Sequence, residues 1–135
     1  AMDRFIQNFK RLSPSVRNRL TVENDDKASM YSVLDLMYIH KHTGIPIVFD
    51  YHHHQFCTGG LSEEEALKLA ATTWPKDIKQ EVHYSESKAL HENNPKEKPQ
   101  AHSIYINSLP NTYGLDVDIM VEAKGKELAI LPFIK

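Results

Sequence analysis

The sequence is poor in several things that would have named a function class. It has a single cysteine, Cys57, which excludes a disulfide within the chain and fits a reducing compartment. No apolar run approaches the roughly 20 residues a membrane-spanning helix requires, and no secretory leader pattern stands out. The five glycines do not gather into a phosphate-cradling loop. No serine or cysteine sits in an arrangement that suggests a nucleophile. With a formal net charge of −2 over 135 residues, bulk charge gives no sign of a nucleic-acid partner. Any DNA contact would have to come from a local patch. Repeats, low-complexity tracts and linkers are absent as well. The expectation is a soluble cytoplasmic protein, with residues 1–135 forming one domain large enough to bury a core.

What the sequence does have is histidine, eight in all, and many of them fall beside apolar runs. The run from Ile45 to Phe49 reads as a buried strand, bounded in front by Gly44 and Pro46. It stops at Asp50, and Tyr51-His52-His53-His54 follows at once. Carboxylate plus imidazole is a ligand mix that Zn, Mn and Fe accept. The triplet reads equally as a solvated loop end.

Three further strands are predicted, at Arg19 to Glu23, Ile78 to His83 and Leu115 to Glu122. Helical spacing marks Asp3 to Arg11, Met30 to His42, a helix from the Ser62–Glu65 capping box to about Thr73, and Lys124 to Phe133. Residues 86–100 read as a long surface loop, and 102–106 as either helix or strand. Helices that alternate with strands argue for parallel βαβ units. Such units make either a small open sheet or about half of an eight-stranded barrel with four parallel strands.

Parallel strands bring their carboxyl ends to one rim, so residues distant in sequence converge there. Each strand here ends in a candidate ligand: Glu23, Asp50 with His53, His83, and Glu122, with His102 a little beyond the third strand. Side chains alternate along a strand, which puts Glu81 and His83 on one face and turns Val82 and Val121 toward covering helices. A carboxylate on an apolar strand is expensive to bury unpaired, and a multivalent cation compensates it. Lys124 and Lys126, just past the last strand, could neutralise phosphate charge or assist a leaving group; a solvated helical turn is the plain alternative. Tyr84 and Tyr105 could stack on a base or simply pack.

Several of these stretches together resemble the UV damage endonuclease family. They are 20–26 (Leu-Thr-Val-Glu-Asn-Asp-Asp), the Phe49-Asp50-Tyr51-His52-His53-His54 strand end, Val82-His83-Tyr84-Ser85, Ala101-His102, and 118–126 (Asp-Ile-Met-Val-Glu-Ala-Lys-Gly-Lys). The resemblance covers nearly the whole chain in the right order. It implies a TIM (β/α)8 barrel similar to endonuclease IV and xylose isomerase, and nicking of DNA 5′ of UV photoproducts in excision repair. The cofactor implied is a divalent metal, Mn²⁺ with Zn²⁺ as the alternative. Metal ligation is implied for Glu23, Asp50, His53, His83, His102 and Glu122. Glu23 and Glu122 would bridge metals and, with Lys124, take the catalytic roles.

The chain departs from the family in two ways. Glu81 stands where the family has a lysine, two residues before the strand-end histidine. The chain also aligns only with the family's carboxyl-terminal half, which leaves open sheet edges and an uncovered strand face. We therefore expect self-association or pairing with an amino-terminal half barrel, and little nicking of UV-damaged double-stranded DNA by the chain alone. The competing readings are a xylose-isomerase-like sugar isomerase or epimerase, and a non-catalytic half-barrel remnant.

Overall fold

A computed structural model describes residues 1–86, 103, 106, 108–122 and 131–133. It begins with helices α1 (Met2–Phe9) and α2 (Pro14–Arg17), strand β1 (Val22–Glu23) and helix α3 (Val33–Thr43). Strand β2 (Ile47–Asp50) runs straight into a helical turn, α4 (Tyr51–His54), and helix α5 (Glu63–Ala71) follows. Strands β3 (Gln80–Tyr84) and β4 (Val117–Val121) complete the sheet, and Leu131–Phe133 forms a 3₁₀ turn. The rest of the helix predicted at Lys124 to Phe133, and most of the stretches at 86–100 and 102–106, lie outside the described residues. No helix among the described residues is long and apolar enough to cross a membrane.

The four strands form one sheet in the order β1-β2-β3-β4, with every neighbouring pair parallel. This is the α/β architecture that alternating elements imply. The register pairs Phe49 with Val82 and Val82 with Ile119, and in the next row Asp50 with His83 and His83 with Met120. Each row across the sheet therefore belongs to one face. One face carries Val22, Ile47, Phe49, Val82 and Ile119, and packs against α3 and α5. Phe49, Ile47, Leu67 and Val82 on this side are completely buried. A side chain of Phe49's size contributes about 2–3 kcal/mol when fully buried.

The helices stop and start for local reasons. Ser32 and Asp35 form a capping box at α3, with the Ser32 hydroxyl accepting from the Asp35 amide and the Asp35 carboxylate accepting from the Ser32 amide. Gly44 ends α3 in the left-handed region at φ 75°. The expected box at Ser62 and Glu65 opens α5. Apolar positions on α3 (Val33, Leu36, Ile39) and α5 (Ala66, Leu67, Ala70) turn inward onto the sheet.

The second face of the sheet is different. It carries Glu23, Asp50, Glu81, His83, Asp118, Met120 and Glu122, and much of it is open: Met120 is 53% exposed. In a closed barrel this face would line the interior.

Candidate metal centre

β1 ends at Glu23, where a side chain takes over the pairing with β2. Asn24, completely buried, donates from Nδ2 to the Asp50 carbonyl at 3.0 Å and accepts the Asp50 N–H on Oδ1 at 2.8 Å. This amide stitch holds the carboxyl ends of β1 and β2 together, and with them Glu23 and Asp50. Asp50 then caps the turn that follows, its Oδ1 accepting the His53 amide at 2.9 Å. That cap is why three histidines, weak helix formers, start a helical turn.

The turn sorts the three imidazoles. His52 is buried with its ring edge against Phe56, and His54 is buried with its ring tilted against Phe49. Burial pushes the His54 pKa down. These two pack inward, and the solvated-loop reading does not hold for them. His53 turns toward the site. Its Nδ1 lies 2.7 Å from the Asn24 carbonyl, an acceptor, so Nδ1 carries the proton and Nε2 is the nitrogen able to coordinate.

Glu23, Asp50 and His83 each offer a ligand atom, all within 4.8 Å of one another. Asp50 is 1% exposed, and burial raises its carboxyl pKa. Glu23 is held low, first by its contact with His83. His83 Nδ1 lies 3.0 Å from Glu23 Oε2 and 2.8 Å from Glu122 Oε1. It is enclosed, yet at these angles it makes no well-formed hydrogen bond. Glu23 foremost, with Glu81 and Glu122 adding, raises the His83 pKa to about 9 against the cost of burial. Two carboxylates and an imidazole nitrogen without a well-formed hydrogen bond are a donor set that fits Mn²⁺, Zn²⁺ or Fe²⁺.

Of the residues singled out from sequence, the structure brings Glu23, Asp50 and His83 into one cluster. It sets Glu122 against His83 and places His53 next to Asp50, with Nδ1 3.5 Å from Asp50 Oδ2. His102, Lys124, Lys126 and Tyr105 lie outside the described residues. Tyr84 is half-buried, its ring edge-on to Tyr51 and its hydroxyl donating to Glu86 at 2.7 Å, a packing role. Sequence reasoning missed Asn24 as the residue that joins the two strands carrying Glu23 and Asp50. A polar residue after a strand looks like a turn, and only the pairing shows it as a substitute for backbone.

The family model of UV-endonuclease UvdE matches residues 1–135. The chain belongs to this family. It is 36% identical over 146 residues to the UV-damage endonuclease of Neurospora crassa, covering 99% of this chain and 21% of that protein. It is 41% identical over 139 residues to the UV-damage endonuclease of Schizosaccharomyces pombe, covering 96% of this chain and 22% of that one. A UV DNA damage endonuclease of Bacillus cereus is 36% identical over 145 residues, with 99% of this chain and 43% of that protein covered. Among solved structures, SacUVDE superposes with a TM-score of 0.78 at 39% identity, over 95% of this chain and 42% of that one. The chain thus spans between about a fifth and two fifths of the length of these relatives. Against SacUVDE, a TIM-barrel UvdE, its four parallel strands make up about half of the barrel.

Proposed function

We propose that this chain supplies part of the metal-holding rim of a DNA repair endonuclease that cuts the backbone 5′ of UV photoproducts. The observation that carries the reading is the convergence of Glu23, Asp50 and His83, from three parallel strands, in a chain of the UvdE family. On this reading Glu23, Asp50, His83, Glu122 and His53 hold one or more divalent ions, Mn²⁺ being the family's usual metal and Zn²⁺ the alternative. His102 is assigned as a further ligand. When bound, such an ion supplies Lewis acidity at a phosphodiester group.

The chain's own residues do the rest. Asp50 and Glu23 set the negative charge that attracts the cation, and Asn24 fixes the spacing between them. Lys124, just beyond β4, is assigned to neutralise phosphate charge on the scissile strand. The partner is UV-damaged duplex DNA inside the cell. Residues 1–135 are read as a single domain from the carboxyl-terminal half of the family's barrel. Half of the walls of a complete site are contributed by strands these 135 residues do not contain, so the chain by itself is expected to nick slowly or not at all.

The test uses supercoiled plasmid, irradiated or not, with Mn²⁺. The chain is mixed with a polypeptide carrying the portion of the Bacillus cereus relative that it does not cover. Nicking of the irradiated plasmid alone, abolished by EDTA, is expected. No nicking from the mixture, or nicking that is equal on both plasmids or insensitive to EDTA, contradicts the reading.

A further inference from the structure

Glu81 is a carboxylate that the metal reading leaves without a task. It lies two residues before His83 on the same face of β3, and its Oε1 is 3.1 Å from His83 Nε2. Its donor atoms are not among those of the Glu23, Asp50 and His83 cluster, which lie within 4.8 Å of one another. We propose that Glu81 is a positioning residue for the metal centre: by accepting the Nε2–H of His83 it turns Nδ1 toward Glu23, Asp50 and Glu122 as the ligating nitrogen. The inference rests on the metal reading above and concerns how the ligand is held.

A histidine ligates through one nitrogen, and what the other nitrogen bonds to decides which one that is. His53 is fixed by a backbone carbonyl, that of Asn24. Among the described residues, the His83 ring nitrogens meet carboxylates instead of a backbone carbonyl. A side chain must do the work. Positions 81 and 83 stand on the same side of the strand, so a long carboxylate at 81 can lie along the face to reach the far edge of the ring. Glu81 reaches it and Glu23 meets the near edge, so the ring is held at both ends. Glu81 is half-exposed, so its charge is screened by solvent and its larger effect is on orientation.

Two variants test this, Glu81→Ala and Glu81→Gln, the second keeping an acceptor oxygen without the charge. In the metal-free protein labelled with ¹⁵N-histidine, the His83 Nε2–H proton is expected as a protected resonance. Ala is expected to lose it to solvent exchange and Gln to retain it. Mn²⁺ titrated by calorimetry is expected to bind roughly 10–100-fold more weakly to the Ala variant, with Gln restoring most of the loss. Both variants should keep a cooperative thermal transition, which shows that the fold survives. An Ala variant with an unchanged Nε2–H resonance and unchanged Mn²⁺ affinity overturns the proposal. So does a Gln variant that loses as much affinity as Ala, since Glu81 would then be a ligand itself. Failure of the unaltered chain to bind Mn²⁺ would instead strike the metal reading and remove this role with it, while the metal-free resonance still reports whether Glu81 holds the ring.

Discussion

His83 gathers more of the site's electrostatics than any other described residue. Three carboxylates, from β1, β3 and the end of β4, lie within 3.1 Å of its ring nitrogens. Without metal it is an imidazolium at neutral pH, its pKa near 9. A histidine whose pKa is higher folded than unfolded adds stability that is fully present below about pH 6.5 and lost as pH rises through the folded value. Urea unfolding of the metal-free chain should therefore show stability falling between about pH 6.5 and 9, by ~2–3 kcal/mol once solvent screening is allowed for. On the proposed metal reading, a cation bound at His83 displaces that proton. Calorimetry at pH 7.5 in buffers of different ionisation enthalpy should give about one proton released per ion bound. Asn24 is the other residue with an outsized role. Asn24→Ala leaves the Asp50 amide and carbonyl without their buried partners, at about 1–3 kcal/mol each. Denaturant titration should show a loss of ~2–4 kcal/mol. The clustering of Glu23, Asp50 and His83 was legible in the sequence because carboxylates and histidines ended apolar runs. The holding residues were less so: Asn24 looks like a turn former, and the sequence placed Glu81 on the right face without saying which nitrogen it meets.

At the scale of elements, the strands were legible because β-prone runs end in polar clusters and helical spacing lies between them. Their lengths were not. β1 was expected over Arg19 to Glu23 and pairs over only Val22–Glu23; its carboxyl end is where the sequence put it, and there the Asn24 side chain continues the contact with β2. Helix α4 was not legible at all, since it depends on a cap from Asp50 that a run of histidines does not announce. The loops above the rim are tied by a close approach. Gly59 has φ +61°, and a Cβ there would come 2.8 Å from the Ser32 Cβ. Both loops follow strands that carry candidate ligands, Glu23 and Asp50, so this contact steadies the rim. Gly59→Ala strains the backbone and pushes on the α3 capping box at once. The expected loss is about 1–3 kcal/mol by thermal or urea unfolding.

At the scale of the molecule, one face of the sheet is covered by helices and the other carries acid groups and an exposed Met120. Among the described residues β1 and β4 are the outer strands. Open strand edges beside an uncovered face favour association with another chain. Light scattering of the 135-residue chain at high concentration should give a mass above that of the monomer, and a strictly monomeric species would count against this account of the open face. The sequence foresaw the half barrel from the βαβ alternation and the resemblance together. It did not tell what covers the open face, since edge and face contacts with another chain leave no local pattern along the strands. The central claim is that ligands from separate strands form one cation site, and titration of Mn²⁺ into the chain by calorimetry tests it most directly. The account expects saturable binding that Glu23→Gln, Asp50→Asn and His83→Ala each weaken by more than the roughly 10–100-fold typical of outer partners. Absence of binding, or binding that all three variants leave intact, would contradict it.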